Sequence, residues 1–441
     1  MSLPPFASHR FANGLGLDVA RMTGTPDVAI RLVVDAGAGT TAADLGGLAA
    51  LAGDALSAGA GGRSAPEMAR WIDGIGAAFR VRTTYDAAVL SMHAMNDQLE
   101  ASLAYLSAVT RRPDFEPDEV DRRRSLLLDR LRRRRDDPSE IAAEALDEAL
   151  FGVHPYGVPL SGTPASVEGI DARDLSVFWR RRVRPGTATL IVCGEVDPDG
   201  VRDLVAREFG DWEATELQEE DNPPTPIVGR PAVRAGEVLL LDRPRSRQTE
   251  LRLGGIGLAR GEDDEIETPA LVMNAILGGL FNSRINLNLR EDKGWTYGAR
   301  SLFVRRRLPG PFILRTAVAT EASAPAFEEV LREIAAMRSE LPTDDEMTLA
   351  ANALTLSMPL QFQTATQLAS RRAEAVTYGL PEDYWERFPR LVRAVTAEQV
   401  REAARRFLRP EDLVLLAVGD LSGVADELGS LGRVALTAAE A

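Results

Sequence analysis

The pattern of hydrophobic and polar positions predicts strands followed by helices in the first half of the chain. Largely apolar segments at residues 15–22, 28–37 and 87–95 predict three strands. Helical periodicity predicts helices at residues 44–58, 65–75, 96–110 and 117–135. This grouping of strands and helices is typical of an α+β domain.

A repeat related by an offset of 225 residues (395 minus 170) predicts a second domain like the first. Residues 170–185 (IDARDLSVFWRRRVRP) align without a gap with residues 395–410 (VTAEQVREAARRFLRP). Each segment predicts an amphipathic helix and an Arg-Pro turn, and each is followed by an apolar strand. We therefore predict two similar α+β domains, residues 1–216 and 235–441, joined by an acidic and then proline-rich linker at 217–234.

The second half contains a stretch, residues 275–304, that predicts two helix ends and a strand around two polar side chains. Start and stop signals predict one helix from Thr268-Pro269 to Gly278-Gly279 and a second from Ser283 to Lys293-Gly294. Alternation of side chains from Trp295 to Val304 then predicts a half-buried strand. Arg290 and Tyr297 flank this predicted corner, so both can reach the same space.

Arg290 and Tyr297 offer hydrogen-bond donors rather than a nucleophile or a base. A guanidinium only donates, and a phenol near its normal pKa is chiefly a donor at neutral pH. Two donors on a rigid corner suit a carbonyl oxygen on which negative charge develops. The alternative is structural, with Arg290 capping a helix and Tyr297 in the core. Spacing alone favours this structural interpretation.

The run LGGLFNSRINLNLREDKGWTYG resembles the second-half signature of the pitrilysin/insulinase family of zinc peptidases, which includes the mitochondrial processing peptidase. In that family an arginine and a tyrosine seven positions later, here Arg290 and Tyr297, complete the active site from the opposite half of a clam shell. The resemblance extends to a His-Pro-Tyr-Gly turn at 154–157. It implies an α+β fold of two similar domains, each an antiparallel-rich sheet packed with helices, of the LuxS/processing-peptidase half-shell type.

The first half departs from this family at its metal site. The family needs His-x-x-Glu-His on one helix and a distant glutamate. The corresponding positions here are Ala50, Gly53 and Asp54, and the distant position falls near Arg130, where a cation could not ligate zinc. The whole chain has three histidines, none four residues from another, and one cysteine. We therefore predict that this chain binds no metal or other cofactor itself.

Composition narrows the possible partners. The net charge of −15 argues against a nucleic-acid binder, and it would favour basic peptides if the acidic groups line a cavity. Eight arginines lie between Arg122 and Arg135, but Val120, Leu127 and Leu131 give the same helix a core-facing stripe. The single cysteine, Cys193, lies in an apolar run and is predicted to be buried. His154 is more simply a turn histidine than a catalytic one.

Neither a signal peptide nor a membrane-spanning run is visible, so we expect a cytoplasmic protein. Taken with the resemblance, the sequence predicts a non-catalytic subunit of a zinc-dependent peptidase. It would pair with a homologous zinc-bearing chain, or self-associate when alone, and would be active on peptides only in that complex. The alternative is a structural or peptide-binding scaffold, similar to the core subunits of the respiratory bc1 complex. Retention of both Arg290 and Tyr297 favours the first.

Overall fold

The computed structural model describes residues 4–24, 26–213 and 236–436, the side chains of 434–436 excepted. The strands are β1 Ala7–Arg10, β2 Gly16–Arg21, β3 Asp27–Val34, β4 Gly59–Ala60, β5 Arg63–Ser64, β6 Ala78–Thr83, β7 Ala88–Met95, β8 Thr189–Gly194, β9 Glu237–Asp242, β10 Thr249–Ile256, β11 Ala299–Phe303, β12 Pro311–Val318, β13 Val414–Gly419 and β14 Arg433–Leu436. The α-helices are α1 Leu48–Ala55, α2 Ala65–Gly74, α3 Leu99–Arg111, α4 Pro117–Arg134, α5 Pro138–Phe151, α6 Pro164–Glu168, α7 Ala172–Arg182, α8 Pro198–Phe209, α9 Asp264–Asn274, α10 Arg284–Asn286, α11 Ser323–Ser339, α12 Asp344–Thr355, α13 Ala365–Tyr378, α14 Tyr384–Ala394, α15 Ala397–Phe407 and α16 Ala425–Gly429. Two π-helical segments extend α9 and α10, at Ala275–Gly279 and Leu287–Asp292.

Two six-stranded sheets have the same strand order. The first runs β1-β2-β8-β3-β7-β6, and the second, read from its other edge, runs β14-β9-β13-β10-β12-β11. In each sheet the strand of the repeat pairs parallel with one neighbour and antiparallel with the other. The predicted α+β class with two similar, antiparallel-rich halves is confirmed.

The 225-residue offset holds for every element of the repeat. Helix α15 starts and ends 225 residues after α7, and β13 lies 225 residues after β8. Register agrees as well, because Arg31 of β3 pairs with Ile191 and Arg252 of β10 pairs with Leu416, again 225 positions after Ile191. Positions in the two sheets can therefore be compared one by one.

The chain forms two compact units, each of which contains segments from both halves of the sequence. Among the described residues, one unit comprises 4–24, 26–132, 159–213 and 359–382, and the other comprises the remainder. Helix α13, from the second half, packs on β3 and β8, and α5, from the first half, packs on β10 and β13. The predicted linker at 217–234 lies outside the described residues, so the division of the chain there remains a prediction.

Most elements predicted in the first half are present. Helices α1 to α4 and strands β2, β3 and β7 lie within about four residues of their predicted bounds, whereas β1, β6 and α5 were not predicted. The stripe Val120, Leu127 and Leu131 is buried as expected, which explains the arginine-rich α4 as an ordinary packed helix. Within the described ranges no helix is long and apolar enough to cross a bilayer.

Candidate functional site

Arg290 and Tyr297 line one cavity of 640 Å³ in the second unit. The cavity lies over strands β10, β11 and β12, beside the π-helical end of α9 and the segment that leads from α10 to β11. Its lining residues are Ser139, Glu250, Arg252, Gly278, Gly279, Leu280, Phe281, Asn286, Arg290, Tyr297, Gly298, Ala299, Arg300, Arg315, Thr316 and Ala317. The structure thus brings the two candidate residues to one space, as the sequence predicted.

The helix ends differ in detail from the prediction. The first helix begins at Asp264, capped by Asp263, so Pro269 lies inside it rather than at its start. It ends at Gly279, in agreement with the predicted stop. Gly278 is required there because a Cβ at this position would lie 2.6 Å from the Ser301 hydroxyl of β11.

The second helix and the strand after it are also only partly as predicted. Ser283 occupies the N-cap position without a side-chain cap bond, and the helix continues as a π-helix to Asp292. Gly294 has φ +66°, the left-handed conformation expected of a residue that ends a helix. The prediction that the strand begins at Trp295 is wrong, since β11 begins at Ala299. The Thr296 hydroxyl holds the chain before β11 in an irregular conformation, because it donates to the Gly298 carbonyl at 3.0 Å and accepts from the Gly298 amide at 3.1 Å.

Asn286, which sequence reasoning missed, ties the helix to the strand. Its side-chain amide donates to the carbonyl of Ala299 at 2.6 Å and to the carbonyl of Leu280 at 3.1 Å. Its side-chain oxygen accepts from the amide of Ala299 at 2.8 Å. Because Asn286 is buried, these bonds satisfy backbone groups that water cannot reach. The residue therefore fixes the segment that carries both Arg290 and Tyr297.

The surroundings of Tyr297 and Arg290 differ from those of structural residues. The Tyr297 side chain is 94% exposed, so its ring is not part of the core. Arg290 contacts two side chains close to it in sequence. Its guanidinium carbon lies 3.9 Å from the ring centroid of Phe281, and its Nε lies 3.4 Å from a carboxylate oxygen of Glu291. Stacking on an exposed aromatic ring orients the guanidinium while leaving donors available to the cavity.

A bidentate ion pair anchors the helix that carries Arg290. Arg284 donates through Nε and Nη2 to the two carboxylate oxygens of Glu346, at 2.6 and 2.9 Å. The hydrogen bonds from Arg284, helped by the Thr343 backbone, hold the pKa of Glu346 below its usual value. Glu346 also completes the capping box of α12 with Thr343, so one carboxylate joins the two helices.

The predicted metal positions of the first unit make contacts with neighbouring residues of the protein. Gly53 lies in α1, and a Cβ there would meet Thr83 Oγ1 at 2.8 Å and Val81 Cγ1 at 3.0 Å. Asp54 accepts from Arg123 of α4 at 3.0 Å, and Arg123 also donates to the Asp54 carbonyl at 2.7 Å. A glutamate at position 53 would not fit without movement, and Asp54 already has a cation as partner.

The residues present therefore do not fit a zinc ion of the family type. Ala50 has no donor atom, and Arg130 is exposed on α4. Among the residues that the structure describes, no group of three or more histidine, cysteine, aspartate or glutamate side chains could hold a metal. His154 instead accepts from the Tyr156 amide at 3.0 Å as a turn cap, and burial raises the pKa of the Cys193 thiol to about 12.

Comparison with known proteins agrees with this arrangement. A family described as "Insulinase (Peptidase family M16)" matches residues 19–164, and one described as "Peptidase M16 inactive domain" matches residues 169–354. Together the two matches cover well over half of the 441 residues. The chain thus belongs to the M16 (insulinase) family of peptidases.

Individual relatives have low sequence identity to this chain, but the matches extend over most of its length. An uncharacterised zinc protease of Mycobacterium leprae is 26% identical over 78% of this chain and 76% of its own length. A probable mitochondrial-processing peptidase subunit beta of Arabidopsis thaliana is 19% identical over 97% of this chain and 80% of its own. The crystal structure of a peptidase M16 inactive domain from Pseudomonas fluorescens covers 94% of this chain, and this chain covers 98% of that structure, at 24% identity and a TM-score of 0.85. This structural match shows that the two chains share a fold.

Proposed function

We propose that this protein is a non-catalytic subunit of an M16-type zinc peptidase. It pairs with a separate, homologous chain that carries the metal, and it supplies Arg290 and Tyr297 to the peptide substrate. In this role the phenol and the guanidinium donate hydrogen bonds to the carbonyl oxygen of the bond to be cleaved as negative charge develops on it. The supporting observation is the exposed Tyr297 beside Arg290 in one cavity.

The contacts in the two site regions support an enzyme whose zinc site and substrate-binding donors lie on two different chains. In the first unit, Gly53 packs against β6 and Asp54 pairs with Arg123, whereas in the second unit the Arg290 segment is held by buried hydrogen bonds. A chain that acts only as a scaffold has no evident need for two donors aimed into a cavity. A stable pairing with another chain should bury about 2,000 Å² or more in total.

Co-expression with a candidate zinc-bearing M16 chain from the same genome tests the proposal. Gel filtration at micromolar concentration should give one peak that contains both chains. Tyr297→Phe keeps the ring but removes one donor, so it should lower turnover of a peptide by the complex about 10²-fold with little change in melting temperature. Arg290→Ala should lower turnover at least as much, because a charge is lost together with its hydrogen bonds.

Two matched variants control for unspecific effects. Tyr85→Phe removes a hydroxyl from a tyrosine of the other unit, and Arg390→Ala removes an exposed charge from α14, outside the cavity lining. Both should leave turnover of the complex within about twofold of wild type, an effect below 0.5 kcal/mol. Full activity in both site variants would favour the scaffold instead, as would two separate gel-filtration peaks.

A further inference from the structure

Three arginines form a row across three adjacent strands of the second sheet. Arg300 of β11 lies directly opposite Arg315 of β12, and Arg315 lies directly opposite Arg252 of β10. Residues in register share one face of a sheet, and neighbouring strands are about 4.8 Å apart. All three side chains line the cavity that contains Arg290 and Tyr297.

The charges in this row are not balanced within the protein. Arg252 is buried and donates to Glu250 at 2.7 Å and to the hydroxyl of Ser139 at 2.8 Å. Arg300 and Arg315 are exposed, and no carboxylate of the described residues forms an ion pair with either. Glu250 is the single acidic residue in the described lining. Like charges directly opposite each other disfavour a sheet, so an anion from outside would complete the row.

The equivalent positions of the first sheet show that the fold does not require such a row. Arg31 corresponds to Arg252, and both donate to a serine hydroxyl of the helix that covers them. The residue opposite Arg31 on the next strand is Ser91, where the second sheet has Arg315. The middle arginine is therefore particular to the cavity of the second sheet.

We infer that this cavity binds an acidic segment of a peptide, with Arg300 and Arg315 as the residues that select it. Guanidinium groups bind carboxylates in a planar, two-bond geometry. Side chains two residues apart on an extended peptide are about 6.6 Å apart, a separation that two long arginine side chains on strands about 4.8 Å apart can span. The chain as a whole carries a net charge of −15, so this local excess of arginine opposes the overall charge. The inference names the substrate class of the proposed function and rests on it.

Fluorescence anisotropy on the full isolated chain tests the inference without a partner. The probes are three labelled peptides of one length, with alternating glutamate, glutamine or lysine between alanines. The glutamate peptide should bind at least about tenfold more tightly than the glutamine peptide, and its binding should weaken as salt is added. The lysine peptide should bind most weakly.

Arg315→Ser reproduces the arrangement of the first sheet and should weaken binding of the glutamate peptide about tenfold. Its melting temperature should stay equal or rise, since the like-charge contacts of Arg315 with Arg252 and Arg300 are removed. Arg390→Ser makes the same change in net charge outside the cavity lining and should leave binding unchanged.

Equal binding of the glutamate and glutamine peptides would overturn the inference, and so would equal loss in Arg315→Ser and Arg390→Ser. Displacement of the glutamate peptide by inorganic phosphate at equal concentration would also overturn it, because the site would then take any anion. These results leave the proposed function standing, since turnover by the complex tests Arg290 and Tyr297 separately. Conversely, acidic-peptide binding together with full activity of Tyr297→Phe and Arg290→Ala would remove the proposed function alone.

Discussion

The two units differ in the hydrogen bonds and ion pairs made by the residues that the sequence analysis assigned to the metal motif and to the Arg290–Tyr297 pair. In the first unit, Asp54 and Arg123 neutralise each other and Gly53 packs against Val81 and Thr83. In the second unit, an exposed tyrosine and four arginines line a cavity in which Glu250 is the single acidic residue of the described lining, and Arg300 and Arg315 have no ion pair with a described carboxylate. The first region is therefore internally complete, whereas the second has donors left for a ligand.

The positions of the first unit that correspond to the family's metal motif are thus used for contacts within the protein. Here one position has no space for a side chain and another is used by an ion pair between α1 and α4. In the second region, by contrast, buried hydrogen bonds of Asn286 hold an exposed segment in place, which is typical of functional sites.

Asn286→Ala should give the largest effect on stability in the second region. The substitution leaves both the amide and the carbonyl of buried Ala299 without their partners, at about 1–3 kcal/mol for each unsatisfied group. We expect the free energy of unfolding to fall by about 3 kcal/mol in urea denaturation. The segment with Arg290 and Tyr297 should also become accessible to limited proteolysis.

Asn288→Ala provides the matched control two residues further on. Its amide donates to the carboxylates of Glu329 and Glu333 at 3.0 and 2.9 Å rather than to backbone groups, and Glu329 also pairs with Lys293 and Arg332. The cost should be about 1 kcal/mol or less. Similar losses in the two variants would show that Asn286 does not specifically hold the segment.

Glu346→Gln should lower stability less, by about 2 kcal/mol at neutral pH, because Arg284 loses a bidentate carboxylate in a partly buried position. The pKa of Glu346 is lowered in the folded protein, chiefly by hydrogen bonds from Arg284. Its stabilising effect is therefore fully present above the unfolded-state pKa of 4.5 and is lost as the pH falls through the folded-state pKa. Urea denaturation at a series of pH values should show the two proteins converging below pH 4.5.

Glu402→Gln is the control for this pH dependence. Glu402 pairs with Arg405 at 2.8 Å, but both side chains are well exposed. Such pairs contribute about 0.5 kcal/mol or less. If wild type and Glu346→Gln still differed by the full amount in acid, the carboxylate charge would not be the source of the stabilisation.

The sequence predicted the repeated part of the fold well because local signals and packing agree there. Helix α7 and strand β8 have strong amphipathic or apolar patterns, and their counterparts α15 and β13 repeat them. The exchange of α5 and α13 between units could not be predicted, since it depends on contacts between residues distant in sequence. The start of β11 was missed because the alternation from Trp295 resembles a strand, although hydrogen bonds between the Thr296 hydroxyl and the Gly298 backbone hold this segment in an irregular conformation.

Only those residues of the candidate site that belong to a sequence motif could be predicted. Arg290 and Tyr297 were found from the family resemblance and their spacing, and their role remains a proposal. The capping box Thr343-x-x-Glu346 is visible in the sequence. The ion pair of Glu346 with Arg284 is not, because the two residues are 62 positions apart in sequence. The row of Arg252, Arg300 and Arg315 depends on strand register, which no local pattern specifies. The expectation of basic ligands was conditional on an acidic cavity, whereas arginine is the prevailing charge in this one.

The smallest expected effect concerns Gly53, and it tests whether helix α1 is closely packed at this position. Gly53→Ala places a Cβ within about 3 Å of Thr83 and Val81, so strand β6 or helix α1 must move, which typically costs about 1–3 kcal/mol. Alanine favours a helix over glycine by about 1 kcal/mol, so we expect a net loss of about 1 kcal/mol. Gly74→Ala in α2 is the matched control, because a Cβ at that position would have nothing within 4 Å, and it should stabilise by about 0.5–1 kcal/mol. Opposite signs of the change in unfolding free energy for Gly53→Ala and Gly74→Ala, measured by thermal or urea unfolding, would support close packing at Gly53. Equal stabilisation by both would mean that α1 has room for a side chain, and a quadruple variant, Ala50→His, Gly53→Glu, Asp54→His and Arg130→Glu, could then rebuild a zinc site.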